Sequence, residues 1–583
     1  MSRLIWMAPA AAVFGLAACG GGNNPAGSGP APMAQPTGAC PNHSAPAQMA
    51  CSESGPRDPN MWARCAGGLT NDDGNAVAVD QQGNIYLGVG YGGLSGGARG
   101  QMQLMEYMQC YGLDLAALGN ISFDGMPANT GGDEDPLLAK YDSQGNLLWI
   151  RQAAGMGAEG EIRSVAVNPT TGFVIAGGDF RGMADFGPGN TITSPGRDMF
   201  VAEYDPNGTV MWAQTATILP DAMGNDRADV YGVAVDPGTG DIVVTGDFQG
   251  VMTAGVGPDM KMIAAQGNRD LFVAEYTPQG QLMWLDDAGG AGDDSVGRGA
   301  TVEPDGSFVI VGRVSGGADE HFTGRAGGDV IVHDYSGQFR RGSDMVLAHY
   351  AHTGEILWAT HAGSPDLPGG EGKRTRGEGV GHDSLGNLYV AGSFEGCAFF
   401  PIMPTLPNIP PPPAPLGLDP TICAPPPGHM VAMGPPGNES DIYFAKYDAN
   451  GVLLWVKTAG GPDSDRGYAI HVHEGAAGSF FYVGARIQQT VTFGNITVMG
   501  GIGDDGQGIA QYDLEGNVRW ATSIVGNGDD NFNDLAIDPR DGAVVAAGNI
   551  NGTIQFAGQT LTSAYTGIRD DDILLFRIPA TGM

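Results

Sequence analysis

The residues best suited to chemistry are carboxylates gathered in short, glycine-containing segments. They are Asp72 and Asp73; Glu159 and Glu161; Asp221, Asp226 and Asp229; Asp293 and Asp294; Asp366 and Glu371; Asp463 and Asp465; and Asp529 and Asp530. Paired carboxylates attract cations and basic partners, and together with loop carbonyls they can hold calcium. No segment carries the D-x-[DN]-x-[DN]-G pattern of a calcium loop, however, and Asp and Gly are ordinary turn formers. The expectation is an acidic face, with Asp72, Asp73, Asp293, Asp294, Asp463, Asp465, Asp529 and Asp530 as its members. No cofactor is called for, and Ca2+ is the one ion such a face suits.

Other groups point less far. His321, His333, His349, His352, His361 and His382 crowd one stretch, and His349 takes an alternating position that reads as exposed. His471 and His473 alternate on a strand and so share a side, but two ligands do not make a metal site. Met102, Met105 and Met108 stand three apart, a spacing that suits copper(I) and suits a packed helix face better. No H-E-x-x-H or S-x-x-K element is present for zinc or nucleophilic chemistry. Beyond Cys19 there are six cysteines: Cys40, Cys51, Cys65, Cys110, Cys397 and Cys423. An even number in an exported chain implies disulfides. Cys397 and Cys423 flank a single proline-rich insertion, which suggests that they pair. Locality then leaves Cys65 with Cys110 and Cys40 with Cys51. None forms C-x-x-C, so zinc or redox catalysis has little support.

The elements that would position these groups repeat. DPLLAKYDSQGNLLW from Asp135, DMFVAEYDPNGTVMW from Asp198, DLFVAEYTPQGQLMW from Asp270, DMVLAHYAHTGEILW from Asp344, DIYFAKYDANGVLLW from Asp441 and GIAQYDLEGNVRW from Gly508 are versions of one hairpin. Each has an alternating run, a glycine turn and a second run ending in tryptophan. A further hairpin, such as GVGHDSLGNLYVAGSF from Gly379, completes a unit of four strands: a (GVAVD), b (NLYVAG), c (DIYFAKYD) and d (GVLLWVK). Trp62, Trp149, Trp212, Trp284, Trp358, Trp455 and Trp520 mark the d strands. Trp62 lies in a d strand with no c strand before it, and DDILLFRIPATGM from Asp571 is a c strand with no d strand after it. Joined, these two orphans would remove the open edges of the array. The fold expected is all-β: a seven-bladed β-propeller of four-stranded antiparallel blades, closed by exchange of N- and C-terminal strands. It would span residues 58–583, with insertions at about 90–133 and 397–440. A linear solenoid would need capping repeats instead.

The repeated text resembles the bacterial SBBP repeats, with their D-x-x-x-A-K-Y-D-x-x-G-x-x-x-W, G-x-A-V-D and G-N-x-Y-V-x-G segments. Strands c and d alone are similar to quinoprotein-type repeats, and the a–b hairpin to NHL-type blades. The resemblance implies architecture and no single activity. At the other end, Arg3, the apolar run from Leu4 to Leu16, and Leu16-Ala17-Ala18-Cys19 resemble a bacterial lipoprotein signal peptide. This implies a signal over residues 1–18 and lipidation of Cys19. Residues 19–57 are rich in Gly, Pro, Ser and Ala and read as a flexible tether. Gly20 after the cysteine resembles outer-membrane lipoproteins.

Glycine (97) and proline (39) together make up about 23% of the 583 residues, against roughly 12% in average usage. A hydrophobic fraction of 42% argues for many short strands rather than disorder. The net charge of −36 opposes nucleic-acid binding. The reading is an envelope protein held by a lipid anchor, on the cell surface or the periplasmic face. It would be a non-catalytic scaffold binding a protein or glycan partner. The alternatives are a scaffold for outer-membrane assembly and a propeller enzyme, a lyase or glycan hydrolase, with its site assembled across blades.

Overall fold

The structure is a computed structural model. It describes residues 50–67, 71–93, 121–124, 126–128, 134–153, 155, 159–219, 227–290, 295–315, 320–323, 329–332, 342–363, 373–407, 423, 425, 427–434, 439–501, 505–528, 530–563 and 571–583. The expected signal peptide, Cys19, Cys40, Cys110, His333, Asp293, Asp294, Asp529 and the Met102–Met108 run lie outside them.

The chain is all-β, and the repeat units form four-stranded antiparallel meanders arranged as a β-propeller. In a representative unit, Thr375–His382, Leu388–Glu395, Ser440–Tyr447 and Leu453–Gly460 serve as strands a to d, with registers Val380↔Val390, Val390↔Ala445 and Ala445↔Val456. The a strands of successive units are Asn71–Val79, Glu159–Val167, Arg227–Val235, Val296–Val302, Thr375–His382, Arg466–Gly475 and Phe532–Ile537. Each packs against the next, and Phe532–Ile537 packs against Asn71–Val79. The last unit takes its d strand from the N-terminal region: Trp62–Ala66 pairs with Asp572–Ile578 through Trp62↔Arg577 and Ala66↔Ile573.

Local chemistry explains the turns. In D-x-x-G-N, Asp383 Oδ1 accepts the N–H groups of Leu385 (3.0 Å) and Asn387 (2.9 Å), and Asp80 does the same for Gln82 and Asn84. This side-chain mimic of a turn leaves the glycine to supply the left-handed residue. Strands b and c are apolar on both faces because both faces are covered by neighbouring meanders. One such interface stacks Phe444, Phe481 and Tyr512, with ring centroids 4.5 Å and 5.2 Å from Tyr512.

The b-to-c connections were not anticipated as a class. They reach back to the d strand of the preceding unit. Thr490–Phe493 pairs with Leu453–Gly460, and Glu320–Thr323 pairs with Leu282–Gly289. The two expected insertions fall into this class. Cys397–Pro401 and His429–Met433 form a hairpin whose Phe399 bridges to Gly363. Ile121–Phe123 and Met126–Ala128 form another, beside which Asp124 pairs with Arg64 of the Trp62–Ala66 strand.

Two sequence expectations need correcting. Cys51 is bonded to Cys65 (Cα–Cα 5.9 Å), so Cys65 is not available to Cys110, nor Cys51 to Cys40. The cause is a contact invisible to locality. Ser52–Ser54 is a strand paired with Gln559–Thr562, and this lays Cys51 beside the d strand that carries Cys65. The folded region therefore starts before residue 57, within the expected tether. Cys397 and Cys423 are joined.

Candidate functional site

Every a strand carries a β-bulge at the same register. The partner strand skips Asn75, Arg163, Tyr231, Arg298, Glu378, Tyr468 and Asn533 in turn. A bulge leaves one residue out of the ladder and re-aims its side chain. All of these bulge residues line one cavity of about 260 Å³, joined by Ser164, His471 and Asp534.

The cavity is polar and mixed in sign. Tyr231 stands between two guanidiniums, Arg298 at 4.3 Å and Arg163 at 5.1 Å from its ring centroid. Arg298 Nε lies 3.6 Å from Glu378. Arg163 donates to Glu161 and, at 2.8 Å, to Asp179. Burial alone would raise Asp179, but Arg163 and Arg197 outweigh it and hold the carboxyl below its usual range. Asn533 donates to the Gly74 carbonyl at 3.0 Å, and Asp534 accepts the Val77 N–H at 2.9 Å. Burial lifts Asp534 to about 7.

A carboxyl cluster adjoins the bulge row. Asn75 Nδ2 donates to Glu161 Oε2 at 2.7 Å. Burial, then Glu161 and Asp571, raise Asp73 to about 6; burial, Glu161 and Asp73 raise Glu134 well above the ordinary carboxyl range. Glu134 Oε1 is buried with no hydrogen-bond partner. Glu161 accepts hydrogen bonds from Asn75 and Arg163, whereas Glu134 is driven towards its protonated form.

The acidic face expected from sequence is not formed by the carboxylates described. Asp72, Asp465 and Asp530 are fully buried. Asp72 accepts the Gly92 N–H (2.8 Å), Asp465 that of Gln488 (2.8 Å), and Asp530 those of Gly526 and Asn551 (2.5 and 3.2 Å). They close loops by satisfying backbone donors that would otherwise be buried unpaired. Asp73 joins the cavity-side cluster and Asp463 is half-buried. His349 is buried, not exposed, with Nε2 at 2.8 Å from Glu303. His471 lines the cavity, whereas His473 is buried against Phe480. Sequence reasoning missed the bulge row. Its signal is one polar or aromatic position near the middle of each a strand, held by Asn, Arg, Tyr or Glu while the strand around it is mostly small and apolar.

No protein-family model matches the chain, and no curated protein matches it. Among solved structures it is similar to a streptogramin B lyase, at 9% identity over 89% of this chain and 99% of that one, with a TM-score of 0.33. It is similar to a leech intramolecular trans-sialidase, at 10% identity over 91% and 94%, with a TM-score of 0.36. An ulvan lyase gives 10% identity over 86% and 97%, with a TM-score of 0.33. Likeness at this level carries no argument about activity.

Proposed function

We propose that the chain is a lipid-anchored envelope protein whose closed, seven-bladed propeller is a non-catalytic binding platform, with a glycan seated on the bulge residues. The bulge row carries the reading. It brings amides, guanidiniums and a carboxylate, which bond hydroxyls, together with the Tyr468 ring, which suits the C–H face of a sugar. Seven blades and closure are supported by the order in which the a strands pack and by the Trp62↔Arg577 pairing. The SBBP-like recurrence supports the repeat family, and Leu16-Ala17-Ala18-Cys19 supports the anchor. Calorimetry against neutral and uronate-containing oligosaccharides tests the platform. Tyr468→Ala should weaken binding about tenfold, or ~1.4 kcal/mol, without changing the melting temperature. Unaltered affinity in this variant would refute the site. Labelling with a radioactive fatty acid tests the anchor, since Cys19→Ser should abolish incorporation.

The Glu134–Glu161 pair favours a second reading, a lyase or glycan hydrolase that uses Glu134 as general acid. Glu134→Gln would then abolish release of unsaturated or reducing ends while leaving oligosaccharide affinity intact. Absence of any release by the unaltered chain removes this reading and leaves the first standing.

A further inference from the structure

The notches between neighbouring meanders, on the side of the a–b and c–d turns, are filled according to one residue of strand c. Lys140 donates to the Pro206 carbonyl of the next unit at 2.9 Å and lies 4.7 Å from the Tyr86 ring centroid. Lys446 repeats this, 3.4 Å from the Leu514 carbonyl, 3.5 Å from Asp383 and 4.7 Å from the Tyr389 ring. In these two notches the chain supplies its own alkylammonium group.

At Glu275 the sign is reversed, and the following unit supplies an imidazole. His352, second residue of its c–d turn, places Nδ1 at 3.0 Å from Glu275. Glu203 has the same register and the same sign as Glu275, but no base arrives. The position of His352 is taken by Pro278, and the strand partner of Glu203 is Ile175, where Lys140 and Lys446 have tyrosines. A cavity of about 430 Å³ remains, lined by Phe173, Glu203, Met211, Trp212, Pro237 and Pro278. Glu203 is 5% exposed. Among the described residues its one recorded hydrogen bond comes from Trp212 Nε1, at 2.9 Å. A buried carboxylate facing an aromatic-walled hole lacks the counter-charge that a low-dielectric site demands.

We propose that this notch binds an alkylammonium cation, paired with the Glu203 carboxylate and enclosed by Trp212, Phe173 and Met211. The chain's own lysines and His352 in neighbouring notches define the chemistry. The aromatic wall adds cation–π attraction to the ion pair. The ammonium can belong to a lysine side chain or to a free alkylamine.

Calorimetry on the full chain at pH 8.5 tests it, with n-butylammonium and Nα-acetyl-lysine N-methylamide as probes and 1-butanol as the uncharged control. Both cations should bind saturably and butanol should not. Glu203→Gln should weaken binding about tenfold or more. Pro278→His, which rebuilds the neighbouring notch, should do so by filling the site, and it keeps the test alive if Glu203→Gln fails to fold. Tighter binding of the lysine derivative points to a polypeptide source, and tighter binding of butylammonium to a free amine; either supports the site. No saturable binding at tens of millimolar, equal binding of butanol, or undiminished binding by folded Glu203→Gln overturns the proposal.

Discussion

At the scale of single residues, glycine and tryptophan form one device shared between units. The glycine of each c–d turn has positive φ and in several units lies against the tryptophan of the unit before it. Gly280 has φ +76°, and a Cβ there would come within 2.5 Å of the Trp212 ring. Gly189 has a similar φ, +83°, with nothing within 4 Å of a Cβ. The two positions separate backbone strain from contact. Gly189→Ala should cost about 1 kcal/mol, the price of a left-handed alanine, whereas Gly280→Ala should cost several times more. Equal losses in urea denaturation would show that the tryptophan contact is soft. The repeat of G and W was plain in the sequence, and its packing reason was not, because the partners belong to different units. The bulge residues were hidden for the opposite reason. They are Asn, Arg, Tyr or Glu in no regular order, and a search for recurrence passes over a position without a fixed residue.

At the scale of elements, strands a to d were legible because their alternation, turn chemistry and tryptophans recur in phase. The reaching-back hairpins were not, since their sequences vary and their partners are edge strands some 30 residues away or more. Ser52–Ser54 belongs with them, paired with Gln559–Thr562 and tied by Cys51–Cys65. Cys65→Ser should destabilise the chain by about 3 kcal/mol, from restored freedom in a loop of roughly 15 residues. Deletion through residue 66 should do more. It bares the Asp572–Ile578 edge, so oligomers should appear in size-exclusion chromatography. A monomeric deletion product would mean that Trp62–Ala66 is not needed to cover that edge.

At the scale of the whole molecule, the charge of −36 acquires an internal part. Burial, helped by neighbouring carboxylates, lifts Asp229 and Asp465 to about 7, and burial alone does so for Asp534 and Asp441; Asp73 and Asp270 reach about 6. These groups bind protons more tightly folded than unfolded. The stability they confer is present at low pH and is lost as pH rises through 6 and 7. Asp383 and Asp538 act oppositely: hydrogen bonds outweigh burial and lower them, so their contribution is lost in strong acid. The melting temperature should therefore be higher at pH 5 than at pH 8, and at pH 8 it should rise with added salt, which screens the surplus negative charge. Calorimetric scans at the two pH values check this; a higher melting temperature at pH 8 would contradict it.

The sequence by itself determined the all-β class, the repeated four-strand unit, the d-strand tryptophans and the separate strands at the two ends. These follow from local periodicity and turn chemistry, which a linear reading captures. Only the tertiary structure decided that Asp72, Asp465 and Asp530 face inward, that Cys51 meets Cys65, and that the bulge residues converge on one cavity. Each of those outcomes depends on which units become neighbours. A carboxylate's role as surface charge or buried cap is set by the backbone donors and low dielectric around it, which its own segment does not encode.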